Sequence, residues 1–191
     1  MIDMDNIRNY TVDLEGWSTF GNMQEFKALP ETHQQQILFL DKTATKYLWS
    51  FTGPSANLFT GGEWDPFAKN NFKMVEECSH LGNYDESNSL LKKWLYKRGI
   101  PFDTWIFVLF EGYKQGVLMT WKMLIKYCTV MFFEEDVVIF DRTLNWALFY
   151  YHENQLFFGR DNQYDPTENE QMMQALNERK KNFPQFRHPY L

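Results

Sequence analysis

WIFVLFEGYKQGVLMTWKMLIKYCTVMFFEEDVVIFDRTLNWALFYYHENQLFFG, from Trp105 to Gly159, is the stretch whose reading decides the fold. Trp105–Phe110 is a continuous apolar run of β-favouring residues, and Val117–Thr120 returns after a turn at Tyr113–Gly116, which predicts a hairpin. Thr120 is placed to cap a helix in which Trp121, Leu124, Ile125 and Cys128 share one face while Lys122 and Lys126 point to water. After the acidic turn Glu134–Asp136 come a strand Val137–Phe140, a turn at Asp141–Asn145, a strand Trp146–His152 and, through Glu153 and Asn154, a strand Leu156–Gly159. Connections this short join antiparallel neighbours, so these three strands form a meander. Alternation places Trp146, Leu148, Tyr150 and His152 on one face and Ala147, Phe149 and Tyr151 on the other. Both faces are apolar, so both are expected to be covered.

Working outward, residues 1–30 show little periodicity and read as irregular or short strand, with Trp17 and Phe20 as anchors and Gly16 and Gly21 as breaks. Pro30 suits the first turn of a helix, and Ile37, Leu40, Ala44, Tyr47, Leu48 and Phe51 recur at three- and four-residue steps. That spacing predicts a helix from about Glu31 to Ser50, ended by Gly53-Pro54. Residues 53–84 read as a long connection with a short helix around Asn71–Cys78. Asp85 is the expected N-cap of a helix over Glu86–Arg98, whose stripe is Leu90, Leu91, Trp94 and Leu95. Asp165-Pro-Thr-Glu168 opens a C-terminal helix to about Lys181, with Met172, Met173, Leu176 and Phe183 expected against the domain and an extended tail beyond. The expectation is a single α+β domain over residues 1–191. Its antiparallel sheet has about five strands at 101–160, a mainly helical or irregular part precedes it at 1–100, and a C-terminal helix follows at 165–182.

Of the 191 residues, 44% are hydrophobic and 18% aromatic, enough apolar surface to offset the entropy of ordering the chain. The net charge of −6 is uneven. Residues 1–90 carry thirteen Asp and Glu against six Lys and Arg, whereas residues 91–191 carry twelve against thirteen. An acidic surface disfavours nucleic-acid backbones and favours basic partners. Cys78 and Cys128 are isolated, without the spacing of a zinc site or a disulfide framework, which suits a reducing compartment. The N-terminus lacks the pattern of a signal peptide, and the longest apolar runs are too short to span a bilayer. A cytoplasmic protein with no membrane or nucleic-acid partner is expected.

His152 and Glu153 pair an imidazole with a carboxylate, the groups of proton transfer, although neighbours in a strand point to opposite faces. The spacing HENQL lacks the second histidine of HExxH, which excludes that zinc motif. Glu134, Glu135, Asp136 and Asp141 flank one short strand, where carboxylates could hold a hard cation or form a glycosidase-like acid pair; a charged turn between buried elements is the commoner reason for such residues. Thr60-Gly61-Gly62 lacks the length and the lysine of a phosphate loop, and no nucleophile elbow surrounds any Ser or Cys. Arg179-Lys180-Lys181 and Lys92, Lys93, Lys97 and Arg98 lie where the helix dipole favours cations. No catalytic residue, cofactor or metal is expected.

The order of hairpin, capped helix beginning Thr-Trp-Lys, acidic turn, Val-Val-Ile strand, Trp-bearing strand, His-Glu turn and closing Phe-Gly resembles small uncharacterised bacterial families, including immunity proteins of toxin systems. The resemblance covers residues 105–160, under a third of the chain, and carries over no binding residue. It implies a non-enzymatic bacterial binding protein, with an immunity protein that inhibits a toxin among the possibilities; the acidic surface and abundant aromatics suit a basic toxin as partner. The alternative is a small enzyme or ligand-binding domain with a pocket near His152, Glu153 and the Glu134–Asp141 carboxylates.

Overall fold

The computed structural model describes residues 2–16, 18–52, 58, 67, 71–79, 84–110, 115–132, 135–163 and 166–187. The central block folds as its sequence reads. Strands β4 (Trp105–Phe110) and β5 (Val117–Thr120) form the hairpin, and β6 (Val137–Phe140), β7 (Trp146–Tyr151) and β8 (Gln155–Asn162) form the antiparallel meander. Thr120 closes β5 and caps α5 (Trp121–Lys126), its hydroxyl accepting the Met123 N–H. The helix breaks at Tyr127 and resumes as α6 (Cys128–Met131). Trp121, Leu124 and Cys128 are buried and Ile125 half-buried, while Lys122 and Lys126 are exposed.

The sheet is larger than the expected five strands, because residues 1–100 contribute three more: β1 (Thr11–Val12), β2 (Ile37–Leu40) and β3 (Phe72–Ser79). Its order is β1-β2-β5-β4-β6-β7-β8-β3, with every pairing antiparallel. The expected helix over Glu31–Ser50 is instead α2 (Glu31–Gln34), β2 and α3 (Lys42–Trp49). Ile-Leu-Phe-Leu is apolar at every position, and β2 buries Ile37 and Phe39 on one face of the sheet and Leu40 on the other, which a helix cannot do. Asp41 marks the restart: its carboxylate accepts the Ala44 N–H at 2.7 Å, an N-cap within the supposed helix. The expected helix at Asn71–Cys78 is the strand β3, laid along β8 from Phe72↔Asn162 to Ser79↔Gln155. Its Lys, Met and Glu favour helices, and tertiary pairing overrides that local preference.

Residues 1–30 contain a 3₁₀ turn at Ile7–Tyr10, β1 and α1 (Met23–Lys27), with Phe20 buried; Trp17 lies outside the described residues. Helix α4 (Tyr84–Tyr96) begins two residues before its expected start and buries Leu91 and Leu95, but Leu90 is 64% exposed and leaves the stripe. Gly99, at φ +72° just past α4, takes the left-handed turn that ends helices without the Cβ penalty. Helix α7 (Pro166–Asn182) forms as expected. Among the described residues Met173 and Leu176 are half-buried and join neither core, and Phe183, another of the expected contacts, is 56% exposed. The side chains of Asp85, Asp165 and Met172 lie outside the described residues.

Two cores cover the two faces. On one, α1, α4, α5 and α6 lie over Ile106, Val108, Ile139, Trp146, Leu148, Tyr150, Leu156 and Phe158. On the other, α3 and the N-terminal turn lie over Phe107, Leu109, Leu118, Val138, Phe140 and Ala147, joined by Leu58, Phe67 and Phe72. Gly159 belongs to this second face, where a Cβ would stand 2.5 Å from the Phe72 ring. Each fully buried Leu or Phe contributes about 1.5–3 kcal/mol, so the central strands anchor the domain.

Candidate functional site

The structure sends the flagged carboxylates to opposite ends of β6. Asp136 precedes the strand and reaches across to the β7–β8 turn. Its Oδ1 accepts the backbone N–H of His152 at 2.9 Å and meets the ring Nδ1 at 2.8 Å. With Nδ1–H donating to the carboxylate, Nε2 is the nitrogen left for an outside group. His152 itself is in the turn and not in β7, which ends at Tyr151, so it does not extend the buried row of Trp146, Leu148 and Tyr150.

The turn is held locally. Asn154 adopts φ +62°, and its Oδ1 accepts the Tyr150 hydroxyl at 3.2 Å. The Tyr151 ring lies with its centroid 4.2 Å from that of His152. Desolvation pushes the Tyr151 hydroxyl above its ordinary value, with Glu153 and Asp136 adding to the shift. Glu153 is exposed, Glu135 is half-buried and Glu134 lies outside the described residues.

Asp141, at the other end of β6, is buried. It accepts the Thr143 N–H at 2.9 Å, the Thr143 hydroxyl, and the Trp146 indole N–H at 2.9 Å. Trp146 packs edge-on against Trp121. This carboxylate fastens the β6–β7 loop and satisfies the Trp146 indole donor, which burial would otherwise strand. Five residue steps of about 3.3 Å separate Asp136 from Asp141, roughly 16 Å, well beyond the ~5–9.5 Å between the carboxyls of a glycosidase pair. Among the described residues no three His, Cys, Asp or Glu are grouped to hold a metal ion.

What the Asp136–His152 contact can do chemically is orient an imidazole, one part of a proton-transfer site. Among the described residues no Ser or Thr hydroxyl and no thiol is hydrogen-bonded to that ring. Both cysteines are free; burial pushes the Cys128 thiol to about 11, and raises that of half-buried Cys78. A thiol held protonated is a poor nucleophile.

At the end of α4 the helix dipole favours a cation such as Arg98. The Arg98 side chain is 4% exposed, with Nη1 2.7 Å from Glu76 Oε2 on β3 and Nε donating to the Trp94 carbonyl at 3.0 Å. The guanidinium lies over the rings of Trp94 and Phe158. It ties the end of α4 to β3 and β8, and only the β3–β8 register, absent from local sequence, brings those groups together. A second unforeseen contact joins His33 Nδ1 to the Tyr127 hydroxyl at 2.7 Å, between α2 and the α5–α6 junction.

The N-terminal acidity is on the surface. Asp3, Asp5, Asp13, Glu15, Glu25 and Glu31 are all exposed, against the cations Arg8 and Lys27 in the same stretch. Arg8 lies over the Trp105 ring at 4.0 Å, and Asp5 meets Arg142 at 3.3 Å. No helix among the described residues is long and apolar enough to cross a membrane. Comparison with protein-family models, with curated proteins and with solved structures finds no match.

Proposed function

We propose that this chain is a non-enzymatic binding protein of the immunity type, which recognises a basic protein partner, a toxin, through the acidic surface of residues 1–31. The observation that carries this reading is the exposure of all six carboxylates of that stretch. Charge of one sign on an exposed surface steers an oppositely charged partner and speeds its association. The Asp141 end of the meander is committed to structure, which leaves little there for catalysis.

The test is to capture the products of neighbouring genes on the immobilised chain and to assay any captured toxin with and without it. Inhibition at stoichiometric ratio supports the reading. Asp3→Asn, Asp13→Asn, Glu15→Gln and Glu25→Gln together should slow association about tenfold or more at low salt and flatten its salt dependence. A partner that binds the neutralised variant equally well, or a neighbourhood without a binding partner, counts against it.

The second reading, a small enzyme or ligand-binding domain, draws on the oriented imidazole of His152 beside Asp136. Its test is His152→Ala, which must abolish any activity that the chain displays.

A further inference from the structure

We infer that the outer face of α4 and α5, where lysines surround the rings of Tyr96 and Phe102, docks a short acidic segment of a partner protein that carries an apolar side chain between its carboxylates. α4 turns Leu91 and Leu95 into the core, so Lys92 and Tyr96, each one residue later and one turn apart, form a row beside the buried one. The Tyr96 and Phe102 rings lie 5.9 Å apart, in residues that are 64% and 50% exposed. The Phe102 carbonyl accepts the Lys122 N–H at 3.0 Å, which carries the strip onto α5, where Lys122 and Lys126 are exposed one turn apart. Lys93 and Lys97, also exposed and one turn apart, lie on the outward side of α4.

The placement of these cations works against the helices that carry them. The helix dipole favours cations in the last turn of α4, but Lys122 stands in the first turn of α5, the end that disfavours them. Lys93 with Lys97 and Lys122 with Lys126 are like-charged pairs at the i,i+4 spacing, and each pair opposes its own helix. Among the described residues no side chain of these five lysines makes a hydrogen bond or ion pair, whereas all six arginines are engaged within the chain. The one carboxylate among the described residues of 91–132 is Asp103, next to Phe102 in sequence. An anionic segment laid across the lysines relieves both repulsions, and the exposed ring pair offers apolar contact of the kind found at the centres of interfaces.

Net charge chooses the occupant. The chain as a whole carries −6, so a bilayer or a nucleic acid, which presents many anionic groups over a long reach, meets repulsion from the rest of the molecule. A short acidic segment senses only the field within a Debye length of about 8–10 Å, where the lysines dominate. The surface goes beyond the proposed function and shares no residue with it, so either can fail alone.

Fluorescence anisotropy of a labelled synthetic peptide, Gly-Glu-Asp-Leu-Phe-Glu-Asp-Gly, titrated with the full chain tests the inference. The expected result is saturable binding that weakens as salt rises, and none for the analogue with Gln and Asn in place of Glu and Asp. Lys122→Glu together with Lys126→Glu should raise the Kd at least about tenfold and flatten its salt dependence. The milder pair Lys122→Gln with Lys126→Gln should act in the same direction by less. Tyr96→Ser with Phe102→Ser should weaken binding while leaving the salt dependence in place. Lys180→Glu with Lys181→Glu makes the same change of net charge on α7 and should leave the Kd within about twofold. Circular dichroism of each variant should match the parent. No saturable binding, equal binding of the neutral analogue, or equal weakening by the α7 pair overturns the inference. So does tighter binding of phosphatidylserine vesicles or of an oligothymidylate than of the peptide, or self-association that the lysine reversals abolish, since the face would then belong to a bilayer, a nucleic acid or a second copy.

Discussion

Two carboxylates flank the same short strand, Asp141 at one end of β6 and Asp136 at the other, and the molecule uses them in opposite ways. Asp141 is buried under three donors and shares its end of the meander with the Phe72–Gly159 contact. Asp136 is nearer water and holds an imidazole that is itself about half exposed. Similar chemistry at similar sequence distance from a strand therefore has different energetic weight, set by how much water each group loses. The buried end is therefore expected to be sensitive to substitution and the open end tolerant of it.

The sharpest way to break that contrast is Asp141→Ala, which strands the buried Trp146 indole donor and frees the Thr143 turn to water, and should cost about 2 kcal/mol in urea unfolding. A cost below about 1 kcal/mol would mean that the loop relaxes to water and that the two ends are alike. Gly159→Ala probes the same end through volume: the added methyl meets the Phe72 ring, and a loss of about 2 kcal/mol is expected by the same measurement. At the open end, Asp136→Asn and His152→Ala should each change stability by only about 1 kcal/mol, as loss of a hydrogen bond whose groups reach water does. A larger loss would place that turn among the structural elements.

The smallest effect is a titration away from both ends. Burial, with Lys126 and Lys122 nearby, holds His33 below its ordinary value of 6.5. The unfolded chain therefore takes up the proton first on acidification, so stability is full above 6.5 and falls as the pH drops from there toward the lowered folded value. Urea midpoints on either side of 6.5 should show a slope that is reduced in His33→Asn.

The sequence made the centre of the sheet legible because its pairings are local. Trp105–Phe110 and Val117–Thr120 are found with the expected bounds, and the meander follows from turns of a few residues. β2 and β3 were hidden because their partners are distant: Ile37–Leu40 reads equally as one side of a helix, and Lys-Met-Val-Glu-Glu reads as helical until β8 is alongside. The site followed the same division. An Asp two residues before a Thr suggests a turn at Asp141, but the indole hydrogen bond from Trp146 is visible only in three dimensions. The meeting of Asp136 with His152 depends on the β6–β7 register, which adjacency of His152 and Glu153 in sequence does not disclose.

The remote partnership of β3 also sets a timetable for synthesis. Ser79 waits for Gln155 and Phe72 for Asn162, intervals of 76 and 90 residues. At translation rates of about 5–20 residues per second, β3 leaves the ribosome several seconds before β8 exists. The hairpin and meander can close as they emerge, while β3, within the acidic leading half, must wait without its β8 partner in the meantime. The excess of carboxylates in that half, which repel neighbouring nascent chains, suits that interval as well as it suits the finished surface.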